Sequence, residues 1–218
     1  MKTNEELQKD VQAALKWEPS LHAAEIGVIA HEGIITLTGE VDSYVKKAEA
    51  EDAARNVVGV KALVENIDVQ FGSKGKREDN DIATDVVNTF KWNWEIPSDQ
   101  IKVKVENGWV SLLGEVEWNY QKEATKKAVH NVPGVKGITN DIIVKSKGND
   151  RLEKRSVEEA LIRNGSIDDE AMTVSVSGNK VTLSGTAYSL SQKEEATRVA
   201  WNAPGVWEVD NQLEIYVA

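Results

Sequence analysis

Three stretches of the chain repeat one grammar: Gly33-Ile-Ile-Thr-Leu-Thr-Gly39, Gly108-Trp-Val-Ser-Leu-Leu-Gly114 and Asn179-Lys-Val-Thr-Leu-Ser-Gly185. Each closing glycine is followed twenty residues on by a Gly-Val pair, Gly59-Val60, Gly134-Val135 and Gly205-Val206. Three positions before each of these second glycines stands Asn56, Asn131 or Asn202. The copies are spaced by 75 and then 71 residues, too far apart for the usual helical solenoids and suited to three small tandem domains. Length alone, 218 residues, would suggest one or two.

Within each copy the apolar period changes in order. Alternate positions are apolar before and after a two-residue turn: Ile26, Val28, Ala30 and Ile35, Leu37; Ile101, Val103, Val105 and Val110, Leu112; Met172, Val174, Val176 and Val181, Leu183. That is a hairpin with one buried face. The turn pairs Glu32-Gly33, Asn107-Gly108 and Gly178-Asn179 carry the chemistry of positive φ, with Gly and Asn exchanged in the third copy. A helical stripe of small residues follows, such as Ala50, Ala53, Ala54 and Val57, and predicts close helix-to-sheet packing. The helix ends at Asn-x-x-Gly, with Pro133 and Pro204 reinforcing the stop in two copies. A third strand alternates Ile67, Val69, Phe71; Ile142, Val144; and Leu213, Ile215, Val217.

A further amphipathic helix precedes each hairpin. It carries Leu7, Val11, Leu15 behind a Thr3-x-x-Glu6 capping box, and Ile82, Val86, Phe90 behind Asp79-Asn80. The third shows Val157 and Leu161, a Ser156-x-x-Glu159 box that reads as a helix start or as part of a longer helix, and a stop at Asn164-Gly165. The predicted fold class is α+β: αββαβ, three times over, each module a three-stranded mixed sheet with two helices on one face. The domains fall at 1–71, 78–146 and 156–218. Residues 72–77 form a basic linker, and 147–155 a basic linker or helix start.

Charge and composition narrow the function. The net charge of −10 is spread over three acidic modules and argues against nucleic acid and anionic lipid as general partners. With no cysteine, thiol nucleophiles, thiolate metal sites and disulfides are excluded. No apolar run is long enough for a transmembrane segment, and MKTNEELQKD lacks the apolar core of a signal peptide. As written the chain reads as cytoplasmic; the alternative is a periplasmic protein with its signal removed.

The repeated Val-x-Leu-x-Gly strand end, the Lys/Glu/Ala-rich helix, Asn-x-Pro-Gly-Val and the closing Asn-x-Ile/Leu strand resemble the BON domain, named for osmotically inducible protein Y and nodulation proteins. The resemblance covers nearly the whole chain in three copies. It implies an αββαβ fold in bacterial envelope or stress proteins, with non-enzymatic roles: osmotic protection, phospholipid-surface binding, transport-associated functions or chaperone-like binding of exposed apolar segments. It implies no catalytic residues and no cofactor.

The residues themselves agree. His22, His31 and His130 fall at unrelated repeat positions, without zinc-ligand spacing. Ser184-Gly185 lacks the rest of a nucleophile elbow, and the pairs Glu194-Glu195 and Asp168-Asp169 read as surface charge. No catalytic, cofactor or metal residues are expected.

Function points instead to the seven tryptophans, four of them in the middle copy. Trp17, Trp92, Trp94, Trp118 and Tyr120 are the candidate contacts for lipid or a protein partner, against two other readings: packing at the margin of each core, and contacts between modules. On the sheet face away from the helices, Ile29, Ile34, Trp109, Leu113 and Ile143 form apolar patches. They are expected to be covered by another module or by a second chain, since exposed apolar patches mark interfaces.

Overall fold

A computed structural model describes residues 2–21, 26–72, 77–145, 154–163, 171–203 and 205–216. His22, Asn164, Gly165, Asp168, Asp169, Pro204, Val217 and most of both linkers lie outside the described residues. The first module runs α1 (Asn4–Trp17), β1 (Ile26–His31), β2 (Ile34–Val41), α2 (Tyr44–Arg55), β3 (Ala62–Val69). The second runs α3 (Asp79–Trp92), β4 (Ile101–Glu106), β5 (Trp109–Val116), α4 (Asn119–His130), β6 (Gly137–Val144). The third runs α5 (Lys154–Ile162), β7 (Met172–Ser177), β8 (Lys180–Ala187), α6 (Leu190–Trp201), β9 (Glu208–Ile215).

Each module holds one three-stranded sheet with the second strand in the centre. In the middle module β4 and β5 pair antiparallel, and β5 and β6 parallel, with Trp109 opposite Gly137. The third repeats this with Lys180 opposite Glu208. The same two backbone bonds bracket the third strand throughout. Lys61 N donates to Gly33 O and Gln70 N to Val41 O, Lys136 N to Gly108 O and Lys145 N to Val116 O, Trp207 N to Asn179 O and Tyr216 N to Ala187 O.

The period-two pattern places Ile35, Leu37, Val110, Leu112, Val181 and Leu183 fully inside, under the small faces Ala50, Ala54; Thr125, Val129; and Ala196, Ala200. Burying each Leu or Val side chain stabilises by about 1.5–3 kcal/mol. The hairpin turns divide in type. Glu32 and Asn107 take φ of 50° and 52° with positive-φ glycines after them. In module three Gly178 is positive, at 61°, and Asn179 is not, the pattern of a type II′ turn.

One detail corrects the sequence reading. Asp79 does not cap its helix, whose N-cap is Glu78. Its carboxylate instead accepts from Asn107 N (2.8 Å) and Gly108 N (2.9 Å), tying the helix start to the hairpin turn, as Asn4 Oδ1 does with Glu32 N. Ser156 lies within α5, so its box sits inside a longer helix, the second of the two readings given for it. The Thr3–Glu6 box forms as expected, and those hydrogen bonds hold the Glu6 carboxyl below its usual range.

The closing Asn of two modules is a staple between strand and helix. Asn211 Nδ2 donates to Lys193 O (2.8 Å) and Thr197 Oγ1 (2.6 Å), while Oδ1 accepts from Leu213 N (3.0 Å). Asn140 does likewise with Lys122 O and Ile142 N. Glu65 stands there in module one and accepts from Ile67 N. Asn211→Ala is expected to cost about 1–3 kcal/mol, because partly buried groups lose their partners; urea unfolding measures it.

By packing, the chain divides into two compact units, one of residues 1–39, 49–67 and 148–218, the other of 40–48 and 68–147. Within the first, Arg55 Nη1 meets Glu194 Oε1 at 2.9 Å and Gly59 N donates to Tyr188 O. Within the second, Tyr44 is buried in the middle module's core with Ala48 against it, and its ring meets His130 edge-on at 5.1 Å.

Candidate functional site

Helix α3 buries Ile82, Val86 and Phe90, which leaves Asp85, Asn88, Thr89 and Trp92 along a neighbouring stripe. The chain then turns sharply. Asn93 N donates to Phe90 O, Asn93 Oδ1 accepts from Glu95 N (3.0 Å), and Ile96 N closes on Asn93 O before Ile96 sinks into the core. Trp94 is thereby held at the tip of a turn anchored on both sides. Across from it, α4 ends at Asn131, with Val132 N bonded to Val129 O and Pro133 forbidding continuation.

Between these two helix ends lies an open groove of about 740 Å³. Asp85, Asn88, Thr89, Trp92, Asn93 and Trp94 line one side; Ala128, Asn131, Val132 and Pro133 line the other. Trp92 and Trp94 are 90 % and 88 % exposed, and Trp17, at the end of α1, is 85 % exposed. The margin-packing reading therefore does not describe these three. A residue on the flank of a helix packs only if a neighbour reaches it, and none of the described residues covers these indoles.

The other aromatics are differently placed. Trp109 lies on the open sheet face across Gly137, where a Cβ would come within 2.3 Å of its ring, and its Nε1 donates to Thr139 Oγ1 at 2.8 Å. Trp118 and Tyr120 are only moderately exposed, at the start of α4, where Gln121 Oε1 accepts from Trp118 N. They do not line the groove.

Ile29, Ile34, Trp109, Leu113 and Ile143 are exposed to between 42 % and 60 %. They remain candidates for cover by another module or by a second chain. The packing between repeats described above runs instead through α2, by Tyr44, Ala48 and Arg55. Sequence reasoning missed it, although Tyr44 stands where the other copies have Asn119 and Leu190.

Electrostatics give the groove little net charge. Arg77 Nη2 pairs with Asp85 Oδ2 at 2.5 Å, and among the described residues no lysine lines the cleft. The displaced titrations lie elsewhere. Lys180 is raised by hydrogen bonds to Glu208 and Asp210, whose own carboxyl Lys180 lowers; Lys46 lowers Asp42; and Glu195 raises Arg198. These are local ion pairs, not convergent acid and base. Among the described residues no group of three or more His, Cys, Asp or Glu is placed to hold a metal ion, and no helix is long and apolar enough to cross a membrane.

The BON domain profile matches residues 3–70, 78–146 and 149–216. Osmotically-inducible protein Y of Escherichia coli K12 is 29 % identical over 139 residues, 62 % of this chain and 69 % of that protein. The 21 kDa hemolysin of Actinobacillus pleuropneumoniae is 29 % identical over 134 residues, 61 % of this chain and 65 % of the hemolysin. Among solved structures, CdsD, a structural protein of the type III secretion system of Chlamydia trachomatis, matches at 15 % identity. The match covers 94 % of this chain and 90 % of that one, and its TM-score of 0.25 is too low to bear on the fold.

Proposed function

The chain belongs to the BON-domain family, and we propose that it is a non-catalytic binding and scaffolding protein of osmotic or envelope stress, with its partner site in the middle module. The observation that carries this is the pair of nearly bare indoles, Trp92 and Trp94, on the rim of an open groove. A tryptophan side chain gains from leaving water, so two of them held outside a folded module suit contact with something else. The stress assignment is supported by likeness to Osmotically-inducible protein Y. The non-catalytic assignment is supported by the described lining of the groove, which holds no histidine or lysine and a single carboxylate, Asp85, paired to Arg77.

The test is growth of a strain deleted for this gene at high osmolarity, rescued with wild type or with Trp92→Ala/Trp94→Ala. Wild type is expected to restore growth and the double variant to fail while accumulating normally. Full rescue by the double variant would overturn the site, and a deletion without an osmotic defect would overturn the physiology.

A second reading, weak binding to a phospholipid surface, is favoured by a third bare indole, Trp17 at the end of α1, 85 % exposed. The acidic modules restrict it to zwitterionic headgroups. Cosedimentation with phosphatidylcholine vesicles checks it; retention equal to that of a Trp17→Ala/Trp92→Ala variant would end it. Chaperone-like binding of apolar segments, the third reading, predicts suppressed aggregation of reduced insulin without any vesicle response. Equal aggregation with and without the protein would remove it.

A further inference from the structure

We infer that the groove between α3 and the end of α4 takes a neutral oligosaccharide. This rests on the binding reading above and gives its ligand a chemical class.

The lining has two kinds of chemistry side by side. The π-faces of Trp92 and Trp94 carry negative quadrupole density, which attracts the weakly positive C–H faces of a pyranose ring. Around them stand the carboxamides of Asn88, Asn93 and Asn131 and the hydroxyl of Thr89, groups that donate and accept as sugar hydroxyls do. Two are already oriented: Asn93 Oδ1 accepts from Glu95 N, leaving its amide NH₂ as donor, and Thr89 Oγ1 donates to Asp85 O, leaving its lone pairs as acceptors. The volume of about 740 Å³ suits a ligand larger than one sugar ring.

Charge disfavours the competing ligands. The Asp85 carboxylate is paired with Arg77, and among the described residues that line the groove there is no lysine or arginine to hold a phosphate. An acyl chain or apolar peptide would meet only Ala128, Val132 and Pro133 besides the indoles, and would strip water from four amide or hydroxyl side chains. A neutral, hydroxylated ligand satisfies both halves of the lining.

Module one supplies an internal control. Trp17 occupies the place of Trp92, and Asp10 pairs with Lys2 at 2.6 Å as Asp85 pairs with Arg77. Yet Ala13 and Ala14 stand where the middle module has Asn88 and Thr89, and Pro19 where it has Trp94. The ion pair and first indole are thus common to the two helices. Asn131 keeps a counterpart in Asn56, but Asn88, Thr89 and the second indole belong to the middle module of the two, at the cost of two alanines that are better helix formers.

The experiment titrates the intact chain with maltotetraose, cellotetraose, chitotetraose and trehalose, following the side-chain amide signals of Asn88, Asn93 and Asn131 by NMR. At least one tetrasaccharide is expected to shift them with millimolar affinity, Trp94→Ala to weaken binding about tenfold, and Trp17→Ala to leave it unchanged. The inference falls if no tetrasaccharide shifts the signals, if trehalose alone does, or if Trp17→Ala weakens binding as much as Trp94→Ala. Failure here with loss of rescue by Trp92→Ala/Trp94→Ala would remove the ligand class and keep the binding surface. Full rescue by that variant would remove the surface itself.

Discussion

Gly114→Ala is expected to destabilise the middle module by about 3 kcal/mol or more, a drop in its melting temperature of roughly 10 °C or more for a domain of this size. Gly114 pairs with Ile101 at φ of 148°, a region that side-chain-bearing residues scarcely enter. A Cβ there would lie 2.2 Å from the carbonyl oxygen of Gln100 and 3.3 Å from Ile101 Cα. Both obstacles are backbone, so no rotamer change relieves them. Gly185 in the third module faces Ala171 O in the same way, and Gly39 has φ of 141°. The last letter of the Val-x-Leu-x-Gly motif is therefore a steric requirement of the first hairpin pair. Gly72→Ala, where a Cβ meets nothing within 4 Å, is the control and should leave the melt unchanged. Equal melting of the two variants would contradict the assignment.

Tyr44→Ala carries the second large effect, about 3 kcal/mol on the middle module, although Tyr44 belongs by sequence to the first. Its ring is buried in the core that holds Val110, Leu112, Val129 and Ile142, and meets His130 edge-on. Truncation leaves a cavity that α4 and the sheet fill only in part. Hydrogen exchange should show faster exchange in α4. Tyr120→Ala, on the exposed face of the same helix, should change stability by no more than about 0.5 kcal/mol. If the two substitutions act alike, Tyr44 is no part of that core.

What the sequence made legible was local. Alternation in Val-x-Leu strands, the small faces of α2, α4 and α6, and the Glu-Gly and Asn-Gly turns each express a preference of a few adjacent residues, and the fold realises them. The closing Asn was recognised as a motif, but its role as a staple to Lys193 O and Thr197 Oγ1 depends on a helix eighteen residues away. Asp79 was read as a cap because the sequence places it at a helix start; its turn-binding role depends on where the hairpin returns.

The site was less legible for the same reason. Trp17 and Trp92 stand two places beyond the core residues Leu15 and Phe90, a flank position whose burial is decided by what approaches it, not by its own neighbours in sequence. The sheet-face set Ile29, Ile34, Trp109, Leu113 and Ile143 is exposed, and period two places such residues on one face of the sheet. What covers such a face is not encoded in alternation, and the observed packing of Tyr44 and Arg55 comes from a helix whose pattern looked ordinary.

The account stands on Trp92 and Trp94 lying outside the fold, in water and free for a partner. The most direct measurement is the difference in fluorescence between wild type and Trp92→Ala/Trp94→Ala, with acrylamide quenching of each. The lost intensity is predicted to be the red-shifted emission of indole in water, fully open to quencher, with no change in the melting of the middle module. Lost intensity that is blue-shifted and shielded from acrylamide would contradict the account and place both indoles inside the module.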